Sequence, residues 1–469
     1  MADRSRPNGG ARLEIPPIAT ELGERFRLAG HELYLVGGVV RDLLMGRELG
    51  GDLDFATDAL PRETTKVLRG WAERVYLVGV RFGTVGARKA DHVFEITTFR
   101  EEVYAEEHRK PAVTFGKDLR TDLSRRDFTV NAMAICLPEG EFVDPFGGVK
   151  DLAAKRLDTP LDPEIAFSDD PLRMLRAARF AAQLELVPAP RVVRAIEQMH
   201  DRLEIVSAER INQELTKLLL ADAPSRGLEL LVATGLAREF LPELAALQLE
   251  QDPVHKHKDV LHHTFAVVEK TEATGDPTLR LAALLHDIGK PKTRAITPEG
   301  VSFHHHEVVG ARMARERLHA LRYPAHVVDD VARLVEMHLR FHGYTEWSDS
   351  AVRRYVRDAG PLLDELNQLT RADCTTQNRF KAKKLETLQD DLEERIARLA
   401  EEENLDAMRP PLDGTQVMEH LGLPPGRAVG RALDYLMEVR LERGPVEEDE
   451  AYRLLDDWWS IERDTATDR

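Results

Sequence analysis

Two groups of residues in this chain of 469 have side chains and spacings suited to phosphate chemistry. In the first, Gly37-Gly38-Val39-Val40-Arg41-Asp42 follows a β-like run and opens a helical one. Glycines at such a turn let a triphosphate approach bare backbone amides at a positive helix end. Further on, Asp52-Leu53-Asp54 lies in the next β-like run. Residues i and i+2 of a strand point the same way, which brings two carboxylates to about 6–7 Å from each other. Such a pair can hold two Mg2+ ions, one activating a 3′-hydroxyl and one neutralising the triphosphate. Glu95, within the apolar Val93-Phe94-Glu95-Ile96, is the candidate third carboxylate, because a charge on an apolar strand needs a partner or a metal. Its competing reading is a solvent-facing place in the strand alternation.

Downstream, Asp169, Asp170, Arg173 and Arg176 fall at spacings that put the last three along one helical face. Arginine donors suit N3 and O2 of cytosine or N1 of adenine, and a carboxylate accepts from the exocyclic amino group of either base. Asp170 and Arg173 could thus read CTP or ATP and reject GTP and UTP; the alternative is an ordinary surface ion pair. Arg126 and Asp127, in Arg125-Arg126-Asp127, could bind nucleotide sugar or phosphate and orient that helix, or form a structural salt bridge.

The second group is His263, the adjacent His286-Asp287, His306, His338 and Asp373. A His-Asp pair flanked by apolar residues is costly to bury unless metal or hydrogen bonds compensate. Ligands on several helices imply a mono- or dinuclear centre, and this donor set favours Mg2+, Mn2+, Ni2+ or Fe over structural zinc. Metal-activated water attacking a phosphoester is the expected chemistry. The only cysteines, Cys136 and Cys374, are too few for a disulfide framework or a Cys-based zinc site.

The elements that must position these groups change character along the chain. Up to about residue 150, β-like runs at 32–36, 53–56, 75–78, 83–86 and 93–99, with helical segments at 39–45 and 62–71, predict an α+β head around one mixed sheet of roughly five strands. After Asp151 the strand signal disappears. Helical spacing holds over 164–185, 190–200, 208–220, 224–234, 260–273 and 279–288 and continues to Arg443. The expected organisation is a head at 1–150, a helical neck with a base-reading helix and RNA-binding region at 151–245, a metal-binding domain at 246–385 and a helical tail at 386–469. The apolar-poor segment Arg100 to Val113 reads as a mobile loop. The 65 Lys plus Arg against 82 Asp plus Glu argue against non-specific coating of nucleic acid, although residues 387–469 alone hold 22 acidic residues against 10 Arg. No apolar leader and no bilayer-length apolar run are present, so a cytoplasmic place with no membrane role is expected.

Six ordered motifs carry a family resemblance: GGxVRD at Gly37 to Asp42, DxDFAT at Asp52 to Thr57, the stretch Thr98 to Glu106, RRDFTxNA at Arg125 to Ala132, DPFGG at Asp144 to Gly148 and DDPLRMLRAxRFA at Asp169 to Ala181. The head resembles class II tRNA nucleotidyltransferases and bacterial poly(A) polymerases of the polymerase β-like superfamily. The order H…HD…H…H…D is similar to the HD phosphohydrolases. It selects His263 over His262 and His306 over His304 or His305.

The resemblance implies a template-independent enzyme that adds CCA, or part of it, to tRNA 3′ ends from CTP and ATP. Asp52, Asp54 and Glu95 would be its catalytic carboxylates. Gly37, Gly38, Arg41, Arg126, Asp127, Asp169, Asp170, Arg173, Arg176 and Arg179 would bind the nucleotide, with Asp170 and Arg173 as protein template; Asp169 stands where the family has Glu. The HD region would hold a divalent metal and add a phosphohydrolase activity or serve as tRNA-binding body. The alternatives are poly(A) synthesis, or an HD phosphohydrolase with a nucleotide-sensing head. The Gly-Pro-rich turn around 422–426 resembles the family's C-terminal module, with plain helix packing favoured there over a phosphate contact.

Overall fold

The computed structural model describes residues 13–77, 79–103, 112–116, 118–249, 260–297, 300–374, 379–403 and 408–467. Its contacts divide the chain into two compact units, residues 1–240 and 241–469.

In the first unit Ala19, Leu22, Gly23 and Phe26 recur at helical spacing and form the buried stripe of α1 (Pro17–Leu28). Then follow β1 (Leu33–Val36), α2 (Gly38–Leu44), β2 (Asp52–Thr57), α3 (Pro61–Leu68), β3 (Arg74–Tyr76), β4 (Thr84–Lys89) and β5 (His92–Thr98). Next come β6 (Arg100–Val103), β7 (Ala112–Phe115), α4 (Leu119–Ser124), β8 (Ala134–Leu137), β9 (Phe142–Val143) and α5 (Gly148–Ala153). Seven strands form one sheet in the order β3-β4-β5-β2-β1-β8-β9. Only β2 and β5 run parallel among its neighbours, with Asp52 opposite Val93 and Asp54 opposite Glu95. Period-two alternation sends Leu53, Phe55, Phe94 and Ile96 into the core and leaves Asp52, Asp54 and Glu95 exposed on the other face.

Three expectations change here. The sheet has seven strands, because the short apolar β8 pairs with β1 and carries β9 on its other edge. The predicted mobile loop is a hairpin at its ends: Arg100 to Val103 pairs antiparallel with Ala112 to Phe115. Glu101 and Glu102 fall in β6, while 104–111, including Glu106, Glu107, Arg109 and Lys110, lie outside the described residues. Strand structure also persists after Asp151, in the two-residue pair β10 (Arg156–Leu157) with β11 (Val187–Pro188).

The helical stretch at 164–185 is two helices, α6 (Pro163–Asp169) and α7 (Leu172–Gln183). Pro171 disfavours helical geometry in the residue before it, and Asp170 is extended at φ −145° and ψ 100°. After β11 come α8 (Pro190–Met199), α9 (Ala208–Leu219), α10 (Pro224–Ala233) and α11 (Leu236–Phe240). Both α9 and α10 pack on α7.

The second unit contains α12 (Pro242–Ala245), α13 (Val260–Lys270), α14 (Thr278–Leu285), α15 (Lys290–Thr293), a small hairpin of β12 (Ala295–Thr297) and β13 (Gly300–Ser302), α16 (His306–Ala320) and α17 (Ala325–Met337). It continues with α18 (Asp349–Ala359), α19 (Leu363–Asp373), α20 (Arg379–Glu403), α21 (Gly414–Leu421), α22 (Arg427–Arg443) and α23 (Glu448–Thr467). Every residue of α14 is buried. Its one charged residue, Arg280, donates to the Thr271 carbonyl at 3.0 Å, and α14 packs on α13, α17 and α19. α20 runs unbroken through the boundary expected at 385/386. Val417, Ala432, Leu436 and Leu455 join α21, α22 and α23 in a core of their own. Asp413 caps α21, accepting from the Gln416 N–H at 2.9 Å. Among the described residues no helix is long and apolar enough to cross a membrane.

Candidate active site and metal centre

In the first unit the chain leaves β1 through Gly37, at φ 76° and ψ −142°, and enters α2 at Gly38. A Cβ on Gly37 would meet Arg126 Nη1 at 3.1 Å and Asp54 Oδ2 at 3.7 Å. The glycine turn, the Asp-x-Asp strand and the Arg-Arg-Asp segment therefore meet at one place. The parallel register sets Glu95 directly beside Asp54 on the solvent face of the sheet. Desolvation raises the Asp54 pKa, the charges of Glu95 and Asp52 push it further up, and Arg126 and Arg176 oppose them. An all-carboxylate oxygen set under mutual repulsion fits hard divalent cations such as Mg2+.

Arg126 and Arg125 both lean on the buried Asp122, at 3.4 and 3.5 Å. Asp127 accepts from the Phe128 N–H at 2.8 Å, from Asn131 Nδ2 at 3.0 Å and from Arg176. Burial opposes its ionisation, but the Arg176 charge and these hydrogen bonds hold its pKa down at about 2. Asn131 in turn accepts from Arg41 at 2.7 Å, and Arg41 pairs with Asp42 at 2.9 Å. A buried polar chain thus runs from the neck to the helix behind the glycine turn. The polar atoms of Arg41 and Asp127 are engaged by protein groups.

The base-reading cluster departs from the one-face expectation, because Asp170 lies in the break before α7. Its Oδ1 accepts from the Leu172 N–H at 3.2 Å and its Oδ2 from Arg210 Nη2 at 2.8 Å. Arg173 donates to the carbonyls of Ala166, at 3.1 Å, and Arg125. Asp169 is the last residue of α6. Arg179 is buried, 3.2 Å from Glu214 of α9, and desolvation lowers its pKa to about 10. Asp122, Arg210 and Glu214 escaped the sequence reading, and Asn131 entered it only as part of the motif Arg125 to Ala132. Glu214 carried a signal, since it occupies a core position of the stripe Ile211, Glu214, Leu215, Leu218.

In the second unit six expected residues converge from five helix ends. His263 lies on α13, His286-Asp287 follow α14, His306 begins α16, His338 follows α17 and Asp373 ends α19. Each of three rings presents Nδ1 to the carbonyl three residues back: His286 to Ala283 at 2.8 Å, His306 to Phe303 at 2.8 Å, His338 to Val335 at 2.7 Å. Donation there leaves the Nε2 lone pair for the centre, the arrangement of metal-ligating histidines. Among the described residues His338 Nε2 has no hydrogen-bond partner, although the residue is 1% exposed. His263 Nε2 and His286 Nε2 stand 3.3 Å apart, and His263 Nε2 is 2.9 Å from Asp373 Oδ1.

Two sets have ligand atoms within 4.8 Å of one another, His263, His286, Asp287 and Asp287, His306, His338, with Asp287 common to both. Orphaned and facing imidazole nitrogens are what divalent ions would satisfy, so the residues fit a metal centre. His262, His304 and His305 are exposed, whereas His306 is buried. The centre opens on a cavity of about 470 Å3 that includes Lys290, Phe303, Phe341 and Tyr344 in its lining.

Three family models match in order: the poly A polymerase head domain at 33–158, the probable RNA and SrmB-binding site of polymerase A at 186–248, and the HD domain at 260–408. The chain is 33% identical over 350 residues to a CCA-adding enzyme of Anoxybacillus flavithermus, covering 74% of this chain and 76% of that one. To a CCA-adding enzyme of Geobacillus sp. it is 44% identical over 216 residues, 46% of this chain and 52% of that one. The Bacillus stearothermophilus CCA-adding enzyme in complex with CTP superposes with a TM-score of 0.72 at 26% identity, over 96% of this chain and 100% of that chain. The Thermotoga maritima CCA-adding enzyme complexed with tRNA shares the fold, with a TM-score of 0.61 at 18% identity over 97% of each chain.

Proposed function

This chain belongs to the CCA-adding enzymes, and from that premise we propose that it adds C, C and A to tRNA 3′ ends by nucleotidyl transfer from CTP and ATP. The observation that carries the reading is the convergence of Asp54, Glu95, Arg126 and the Gly37 turn beside β2, the central strand of the sheet. In the reaction the RNA 3′-oxygen bonds to the α-phosphorus, the α–β bridging bond breaks and pyrophosphate leaves. Asp52 and Asp54, with Glu95 beside them, would hold Mg2+ ions, which when bound supply activation of the 3′-hydroxyl and neutralise charge on the triphosphate. The Gly37 and Gly38 amides take phosphate oxygens at the start of α2, and Arg126 adds charge above them. Asp127, through Arg176 and Asn131, keeps the neck helix and the glycine turn in one arrangement.

Asp170 accepts from the amino group of cytosine or adenine, and Arg173 donates to the adjacent ring nitrogen. Uracil and guanine present the opposite order there and are rejected. The relatives' names favour CCA addition over poly(A) synthesis. Cytoplasmic tRNA maturation is the setting that suits this activity and two cysteines that form no disulfide.

The unpartnered His338 Nε2 favours a second activity, hydrolysis of a phosphoester at a divalent metal bound by His263, His286, Asp287, His306, His338 and Asp373. The Mg2+ assignment is tested by Asp52→Ala with Asp54→Ala, two exposed positions whose loss leaves the core intact. Incorporation should vanish while thermal unfolding is unchanged, and full retained activity would end the assignment.

A further inference from the structure

Base selection, as proposed above, rests on Asp170 and Arg173, and the two are held by different means. The Arg173 guanidinium is fixed by two backbone carbonyls, Ala166 and Arg125. Asp170 has no helix around it, and its carboxylate is held by the Leu172 N–H at 3.2 Å and by Arg210 at 2.8 Å. Arg210 stands one turn before Glu214 on α9, and the two grip opposite ends of the reading segment: Arg210 takes Asp170, while Glu214 takes Arg179 at 3.2 Å and Arg176 at 3.8 Å.

We infer that Arg210 is a positioning residue for base selection, holding the Asp170 carboxylate turned toward the incoming base and away from Arg173. The Asp170 carbonyl accepts from the Arg173 N–H at 3.0 Å, so the two close one turn, the relation in which an N-cap residue and the residue three beyond it bring their side chains together. A carboxylate released from Arg210 would rotate about its side-chain torsions and pair with Arg173, masking both halves of the reader. The grip occupies Oδ2 and leaves lone pairs on both oxygens for an amino donor. The side chains of Arg210 and Asp170 are 50% and 30% exposed. A pair that open contributes little to folding, which makes its effect on selection separable from stability.

The test measures single-nucleotide addition of CTP and of UTP, each alone, to a tRNA transcript lacking its CCA end. The variants are Arg210→Ala, Arg210→Lys, Asp170→Ala and the Arg210→Ala, Asp170→Ala double. Arg210→Ala should raise KM for CTP about tenfold with kcat within about twofold, and lower the CTP-over-UTP ratio of kcat/KM about tenfold. Arg210→Lys should recover part of that selectivity, because an ammonium can still hold the carboxylate. In the Asp170→Ala background, Arg210→Ala should change selectivity no further. If Arg210→Ala keeps full selectivity while Asp170→Ala loses it, or if the two losses multiply, the positioning role is overturned and the base-reading role of Asp170 stands. If Asp170→Ala keeps full selectivity, both fall.

Discussion

Gly37→Ala separates the glycine turn from the rest of the head. Gly37 sits at φ 76° and ψ −142°, close to a region of backbone space used essentially by glycine alone, where other residues carry about 1–3 kcal/mol of strain. An alanine Cβ would also stand 3.1 Å from Arg126 Nη1 and 3.7 Å from Asp54 Oδ2. The neighbours that must give way are thus the groups expected to face the triphosphate. If the turn keeps its geometry, the head loses about 2 kcal/mol of stability; if it rotates to relieve the strain, its amides leave the phosphates and incorporation falls about thirtyfold at 1.4 kcal/mol per factor of ten. Gly38→Ala is the internal control. That position is helical, and its Cβ would meet Arg41 Nη2 at 3.4 Å, at the edge of ordinary contact. Alanine is the better helix former, so the control should change stability by less than about 1 kcal/mol. The assay pairs CTP incorporation kinetics on a truncated tRNA with thermal unfolding of both variants. Wild-type incorporation and stability in Gly37→Ala, or equal losses in the two variants, would refute the reasoning.

Arg176→Met leaves the buried Asp127 carboxylate without its guanidinium and should cost about 3 kcal/mol at pH 7, read by calorimetry. Because the Asp127 pKa is held at about 2 against an ordinary 3.8, its ionisation contributes about 2 kcal/mol above pH 4, lost as pH falls from about 4 to about 2. The gap between wild type and Arg176→Met should therefore shrink in that window; a gap independent of pH would contradict it. Gly289→Ala places a Cβ 2.1 Å from the His306 carbonyl oxygen and 2.8 Å from the Gly310 nitrogen. It should force α15 from α16 and weaken metal binding at least tenfold by calorimetric titration with Mn2+, since Asp287 and His306 lie on either side of that contact. His338→Ala should lower bound divalent metal by elemental analysis with α-helical circular dichroism unchanged; undiminished metal would remove His338 from the ligand set.

How much of this was readable beforehand depended on whether a signal was local. Gly37, Asp52 and Asp54 were legible because turn, strand alternation and helix start are set by near neighbours. Glu95 was singled out as an acid among apolar residues, and its parallel register beside Asp54 came only from the sheet. The helix α1 carried its signal at 19, 22, 23 and 26, but a glycine at a core position obscured it. Gly23 is there because a Cβ would lie 2.5 Å from that of Leu137. The break at Asp170 is readable from Pro171, yet apolar residues at helical spacing on both sides, Ile165, Ala166 and Phe167 before it and Leu172, Leu175 and Ala178 after it, suggest one helix. Arg210 and Asn131 act on residues 40 and 90 positions away, at Asp170 and Arg41, distances over which sequence spacing says nothing, whereas Asp122 stands only three and four residues before Arg125 and Arg126. In the second unit, His306 differs from His304 and His305 through burial, which follows from where α16 begins.

The most direct measurement is incubation of the purified protein with Mg2+, a tRNA transcript lacking its CCA end and each labelled nucleoside triphosphate, alone and in pairs, with products resolved at single-nucleotide length. The account predicts two additions with CTP alone, a third with CTP plus ATP and then arrest, and none with GTP or UTP. A long ladder of A would make the enzyme a poly(A) polymerase, and no extension under any combination would contradict nucleotidyl transfer itself.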